Sequence, residues 1–150
     1  MQWKPNVTVA AIICQDDRFL LVEENDDGQI VLNQPAEHLE KNETLVDAIK
    51  REVMEETAWD FQPHSISGLY LHHHAVSDIT YLRVCFIGSC QKYYPEQTLD
   101  ERIIKTVWMA KKELESCKDK LRNRIVLQCV NDFLLGKQYP MEILNHYLKN

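Results

Sequence analysis

Glycine is scarce in this chain, four in 150 residues, and the stretch QPAEHLEKNETLVDAIKREVMEETAW, Gln34 to Trp59, contains none. No run of about 18 apolar residues occurs, so no membrane-spanning helix is expected. The five cysteines, at 14, 85, 90, 117 and 129, form no C-x-x-C pair, and most sit in apolar patterns. Reduced, packed thiols are therefore expected rather than a disulfide framework. Positive charge is also short: a net charge of -6 argues against a broad surface for a nucleic-acid polymer. It leaves small anionic substrates open, provided a metal ion supplies the missing charge. The opening MQWKPNVTV lacks the basic and apolar segments of a secretory signal, and a cytoplasmic protein is the expectation.

With 45% hydrophobic and 27% charged residues, the chain has an ordinary globular balance and the length for one domain, residues 1–150, around one core. No internal repeat, low-complexity segment or linker divides it. VTVAAII (7–13) and RFLLVEE (18–24) read as a hairpin across the turn CQDD, and IVLNQ (30–34) as a third strand stopped by Pro35. Further strands are predicted at ISGLYLHHH (66–74), ITYLRVCFIGSC (79–90) and TVWMA (106–110). LRNRIVLQCVNDFLLGK (121–137) has helical spacing with Gly136 as its stop. Strands mixed with helices in one chain give an α/β class.

The most informative segment is a helix predicted from Thr44 to about Thr57, with Thr44 and Asp47 standing as an imperfect capping box. At about 100° per residue, Leu45, Ala48 and Ile49 form one stripe that continues into Glu52 and Glu56, with Glu55 beside it. Carboxylates thus replace the apolar face that should meet the core. At about 4 Å and an effective dielectric of about 20, each like-charge pair costs on the order of 4 kcal/mol. Either one carboxyl stays protonated or a hard divalent cation sits among them, and Mg²⁺ suits oxygen ligands. A bare E-x-x-E-E also fits a solvated face paired with Lys50 and Arg51. Glu43, eight residues before Arg51, can fold back to brace the helix.

These residues resemble the Nudix box, G-x5-E-x7-R-E-U-x-E-E-x-G-U with U apolar. Glu43, Arg51, Glu52, Val53, Glu55, Glu56 and Trp59 match seven of nine defined positions over the 23 residues 37–59. KPNVTVA, LNQPAEHLE and GKQYPMEIL extend the similarity over nearly the whole chain, toward the bacterial NudJ-type branch of the family. The resemblance implies an α/β/α sandwich with a mixed sheet and Mg²⁺-dependent hydrolysis, with Mn²⁺ as a substitute. The substrates it implies are nucleoside tri- and diphosphates, or a related small diphosphate such as the hydroxymethylpyrimidine diphosphate of thiamine synthesis. It also implies Glu52, Glu55, Glu56 and the carbonyl of Ala36 as metal ligands, with Glu52 alternatively the general base. Two glycines of the pattern are replaced. Ala58 lies just past the helix, where a left-handed residue costs about 1 kcal/mol. Glu37 is expected to be strained if its φ is positive, and to repel phosphate or become an extra ligand. An impaired, nucleotide-binding protein is the alternative that Glu37 raises.

Other candidates lie outside the box. An acid from a later loop, Glu101 or Asp100, is the place to look for a further catalytic group. Adjacent strand residues face opposite ways, so His72, His73 and His74 do not readily share one zinc ion. One or two of them, His72 and His74 foremost, are expected at a substrate cleft with Asn33 and Gln34. Trp3, Trp59 and Trp108 read as core or edge packing. Lys4 and Arg83 either meet phosphate or face water.

Overall fold

The run VTVAAII is apolar throughout because both of its faces are covered. In the computed structural model, which describes residues 1–148, it lies within β1 (Asn6–Gln15). Ala10 and Ile12 pack on one side with Val126, Cys129 and Val130, whereas Val9, Ala11 and Ile13 pack on the other with Ala48, Ile49 and Val53. The first group of partners lies on α3 (Ile125–Leu134) and the second on α1 (Leu45–Thr57). The strand's alternation therefore separates two cores, one on each face of the sheet. The architecture is a single-domain α/β/α sandwich on a mixed sheet.

β2 (Arg18–Asp26) and β3 (Gln29–Asn33) extend the sheet as hairpins. Both hairpins turn through two residues with positive φ, Asp16 (51°) and Asp17 (60°), then Asp27 (50°) and Gly28 (87°), the backbone that two-residue turns favour. β5 (Trp59–His74) and β6 (Ile79–Tyr93) form the long antiparallel pair, and β6 runs parallel to β1. β7 (Ile103–Ala110) pairs with β2 and leads into α2 (Lys111–Ser116). β8 (Tyr139–Pro140) borders β5.

A short strand, β4 (Ala36–His38), was not anticipated from the sequence. β1 and β2 are paired only at Cys14↔Phe19 and Gln15↔Arg18, so the rest of that β1 edge is free to accept another partner. β4 takes it, pairing Ala36 with Ala10 and Glu37 with Val9. Pro35 contributes its carbonyl to the Ala11 N–H at 3.0 Å. The splaying of the hairpin thus lays residues 35–38 beside α1.

Two other boundaries differ from expectation. β5 begins at Trp59 rather than Ile66, because bulges between Asp60 and Phe61, Pro63 and Ser65, and Ile66 and Gly68 let the strand absorb a proline that has no N–H to offer. α3 begins at Ile125 rather than Leu121, because Leu121 bridges Leu32 and the Arg122 N–H goes to the Leu32 carbonyl at 2.8 Å. Gly136, with φ 80°, follows that helix as expected. Trp59 and Trp108 pack against the α1-side core, but Trp3 is exposed.

α1 starts where Thr44 Oγ1 accepts the Asp47 N–H at 3.0 Å. It ends at Ala58, whose N–H donates to the Met54 carbonyl at 3.0 Å with φ 63° and ψ 17°. That left-handed conformation crowds an alanine Cβ. Ala58→Gly is accordingly expected to stabilise the fold by about 0.5–1 kcal/mol, read as a raised urea midpoint at unchanged slope. An unchanged or lowered midpoint contradicts the strain.

Candidate active site

The inner stripe of α1 starts apolar and ends ionic. Ala48, Ile49 and Val53 are fully buried, while Glu52 and Glu56 on the same side are 3% and 2% exposed. Complete burial of Ile49 and Val53 contributes roughly 1.5–3 kcal/mol each, which anchors the helix and drags the two glutamates inward. α1 has no basic residue in its last turn, so these charges also face the negative end of the helix dipole. Burial pushes the Glu52 carboxyl up to about 7 against the pull of Arg51. It pushes Glu56 well above the carboxylate range, although the Ala36 N–H donates to Glu56 Oε1 at 2.8 Å.

Arg51 is the counter-charge within reach. Its Nε and Nη2 donate to the two oxygens of Glu43 at 3.0 and 2.6 Å, a bidentate fork of the strong, orientation-fixing kind. The Glu43 carboxylate is held below its usual range, chiefly by that guanidinium. Arg51 Nη1 donates to Glu55 Oε2 at 3.2 Å and also touches Glu52. One guanidinium therefore ties the loop before α1 to the carboxylates on it. The far loop is tied as well, through the Asp100 N–H to the Glu55 carbonyl at 2.8 Å.

Glu37 departs from what its position suggested. It lies in extended β4 paired with Val9, and its φ is not positive, so no strain arises there. Its carboxylate is held by Arg102 and by His38. Burial alone would raise it, but hydrogen bonds from His38 and Arg102 outweigh that and hold it at about 2. His38 is raised in turn, first by its hydrogen bond to Glu37. Arg102 and His38 were missed from the sequence. An acid replacing glycine signals that a base must be near, but nothing local says that it comes from a loop 65 residues away.

A cavity of about 360 Å³ opens beside β4, lined in part by Asn33, Ala36, Glu37, His72, His74 and Arg83. His73 points away, toward Thr80 and Asp78, so the three histidines do alternate. His72 stacks on Tyr81 with centroids 5.3 Å apart. Gln34 is not a cavity wall. It is 1% exposed, with its Nε2 on the Val126 carbonyl at 2.7 Å and its Oε1 accepting from Arg83 at 2.9 Å. Glu101 is exposed in the turn before β7 and lines no cavity described for this fold. Its neighbour Asp100 accepts from the Arg102 N–H at 2.9 Å, so it is Arg102 that this loop presents to Glu37.

The donor set suits a hard cation: two buried carboxylates, a third beside them and Glu24 and Glu37 adding repulsion, with an oxygen-rich chemistry that Mg²⁺ prefers. Among the described residues no three acidic, histidine or cysteine side chains converge on one point. Glu52 and Glu55 lean on Arg51 instead, and a cation would have to draw them off it. No helix among the described residues is long and apolar enough to cross a membrane.

Comparison with known proteins agrees with this geometry. The model of the NUDIX domain matches residues 4–128. Phosphatase NudJ of Escherichia coli strain K12 is 34% identical over 146 residues, 97% of this chain and 94% of the relative. A NUDIX hydrolase from Nitrosomonas europaea superposes with a TM-score of 0.96 at 43% identity, covering 98% of this chain and all (100%) of that one. A bifunctional NMN adenylyltransferase/ADP ribose pyrophosphatase from Francisella tularensis, complexed with AMP and a Mn ion, shares the fold at TM-score 0.72 and 17% identity, over 89% of this chain and 42% of that one. The chain belongs to the Nudix hydrolase family.

Proposed function

We propose that this hydrolase cleaves diphosphate linkages in nucleoside tri- or diphosphates, or in a related small diphosphate such as that of hydroxymethylpyrimidine, with Mg²⁺ as cofactor and Mn²⁺ as a substitute. The observation that carries the reading is the burial of Glu52 and Glu56 on the inward stripe of α1. Glu52, Glu55, Glu56 and the carbonyl of Ala36 would hold the metal. Bound there, it would neutralise charge on phosphoryl oxygens and acidify an attacking water.

The chain's own residues do the rest. The Ala36 N–H fixes one oxygen of Glu56 at 2.8 Å, leaving the other oxygen free to ligate. The Arg51–Glu43 fork holds the loop against α1. Glu52, whose proton affinity lies near neutrality at about 7, is suited either to ligate or to take the proton from water. His72, His74 and Asn33 face the space where the rest of the substrate would sit. The binding-only alternative needs Glu37 as a free repelling charge, and that charge is already engaged by Arg102 and His38. The free cysteines suit a cytoplasmic setting, and the acidic net charge suits small phosphorylated substrates rather than nucleic-acid polymers.

The purified protein is expected to release phosphate or pyrophosphate from a nucleotide panel with Mg²⁺. Glu52→Gln and Glu56→Gln should each lower kcat by at least about 10²-fold, whereas Glu37→Gly should change it by less than about 10-fold. Wild-type inactivity across nucleotides and thiamine precursors, with activity in Glu37→Gly, would overturn the reading.

The raised carboxyls also make a pH prediction for the chelator-treated protein. A carboxyl whose folded pKa exceeds its ordinary 4.5 stabilises fully below that pH and loses its contribution as pH rises through the folded value. Stability should therefore fall by about 2–3 kcal/mol between pH 4.5 and about 8. His38, raised as well, slopes the same way, so Glu52→Gln isolates the part due to that carboxyl by flattening the profile. A urea-midpoint profile that is flat or rising in the wild type contradicts the burial cost.

A further inference from the structure

Arg83 sits on β6 level with Thr8 of β1 and Tyr70 of β5, and it is 4% exposed. Buried guanidinium groups ordinarily meet a carboxylate, since an uncompensated charge is costly to desolvate. This one meets no carboxylate. Nη1 donates to Gln34 Oε1 at 2.9 Å and lies 3.9 Å from Cys129 Sγ, and Nη2 donates to Asn33 Oδ1 at 3.1 Å. A guanidinium has five N–H donors. These three contacts leave one Nη2–H and the Nε–H, and Nε is buried with no acceptor.

The neighbouring acids are held by other donors. Glu24 receives Arg122 at 2.8 Å, and Asp132 receives Tyr70 at 2.7 Å and Lys137 at 3.3 Å. Arg83 is also held still: Gln34 is pegged to the Val126 carbonyl at 2.7 Å, and Asn33 donates to Glu24 at 3.4 Å. The two donors left over, Nε–H and one Nη2–H, are the edge from which a guanidinium donates to two oxygens of one anion. Arg83 and Arg122 both line the cavity that also reaches Ala36 and Glu37, and Ala36 is bonded to Glu56. Asp26 and Asp27 stand at the exposed rim.

We propose that this basic end of the cavity binds an oxyanion, a phosphoryl group carried by the substrate, with Arg83 as its principal donor and Arg122 beside it. Naming the occupant as substrate rests on the hydrolase reading above; the anion site itself does not. The site would select compounds that carry a phosphoryl group within reach of both the α1 carboxylates and Arg83. The deficit is built into the fold, because among the described residues Arg83 has no carboxylate partner and its Nε has no acceptor.

The test uses the full chain stripped of metal by chelator, with inorganic phosphate, a nucleoside 5′-monophosphate and the neutral nucleoside as probes of thermal stability. Phosphate and the monophosphate are expected to raise the midpoint, the monophosphate at lower concentration, and the nucleoside is not. Arg83→Met should lose that response, its ligand-free midpoint reporting the balance between the unpaired charge removed and the Gln34 and Asn33 oxygens left without a donor. Arg83→Lys, which keeps the charge and loses the fork, guards against a misfolded methionine variant and should respond only at about 10-fold higher phosphate. With Mg²⁺ and a hydrolysed nucleotide, Arg83→Met should raise KM about 10- to 100-fold with kcat within about 3-fold, a readout that fails separately if no hydrolysis occurs. Absence of any phosphate response in the wild type, or its survival in both variants, overturns the site. Protection by inorganic phosphate alone overturns the assignment to substrate. A lowered ligand-free midpoint with unchanged KM in both variants makes Arg83 purely structural.

Discussion

The structure turns on the cost of burying carboxylates at the end of a helix. Ala48, Ile49 and Val53 commit the inner face of α1 to the core, and helical geometry then carries Glu52 and Glu56 into the same shelter. Water cannot neutralise them there, and the helix dipole opposes them. The surrounding parts answer that charge. Arg51 leans across Glu52 and Glu55 while gripping Glu43, and the Ala36 N–H is turned onto Glu56. What remains uncompensated is a preference for a cation, which is also what hydrolysis of a phosphoanhydride requires.

The position of β4 follows from the same need. A hairpin pairing β1 with β2 along its full length would have filled the β1 edge and left no backbone donor opposite Glu56. Because the pair opens after Cys14 and Gln15, residues 35–38 lie between the acidic helix and the cavity. That placement also explains how an acidic residue is tolerated in place of a box glycine. Glu37 needs no special backbone in an extended strand, and Arg102 and His38 cancel its charge. The cavity consequently lies across β4 from the acidic helix, with Arg83 and Arg122 in its wall.

The helix, its cap at Thr44 and the β1–β2 hairpin were legible in the sequence, because periodicity, capping and turns are local. The mutual alternation of His72, His73 and His74 was legible for the same reason. β4 was not, since three residues following a proline carry no periodic signal and owe their pairing to an edge left open elsewhere. Gln34 read as a cleft residue and proved to be a buried bracket, a distinction set by Val126 and Arg83, which lie 92 and 49 residues away. Arg102 and Arg83 illustrate the same limit: a lone basic residue looks alike in sequence whether it faces water, a carboxylate or an empty cavity.

The buried stripe of α1, on this reading, is the metal centre. Anomalous diffraction from crystals grown with Mn²⁺ tests it most directly. A peak is expected within coordination distance of Glu52, Glu55 and Glu56 and next to the Ala36 carbonyl, with Glu52 and Glu55 turned off Arg51. A fully occupied Mn²⁺ site elsewhere, with Glu52 still on Arg51 and Glu56 without a metal contact, would contradict it.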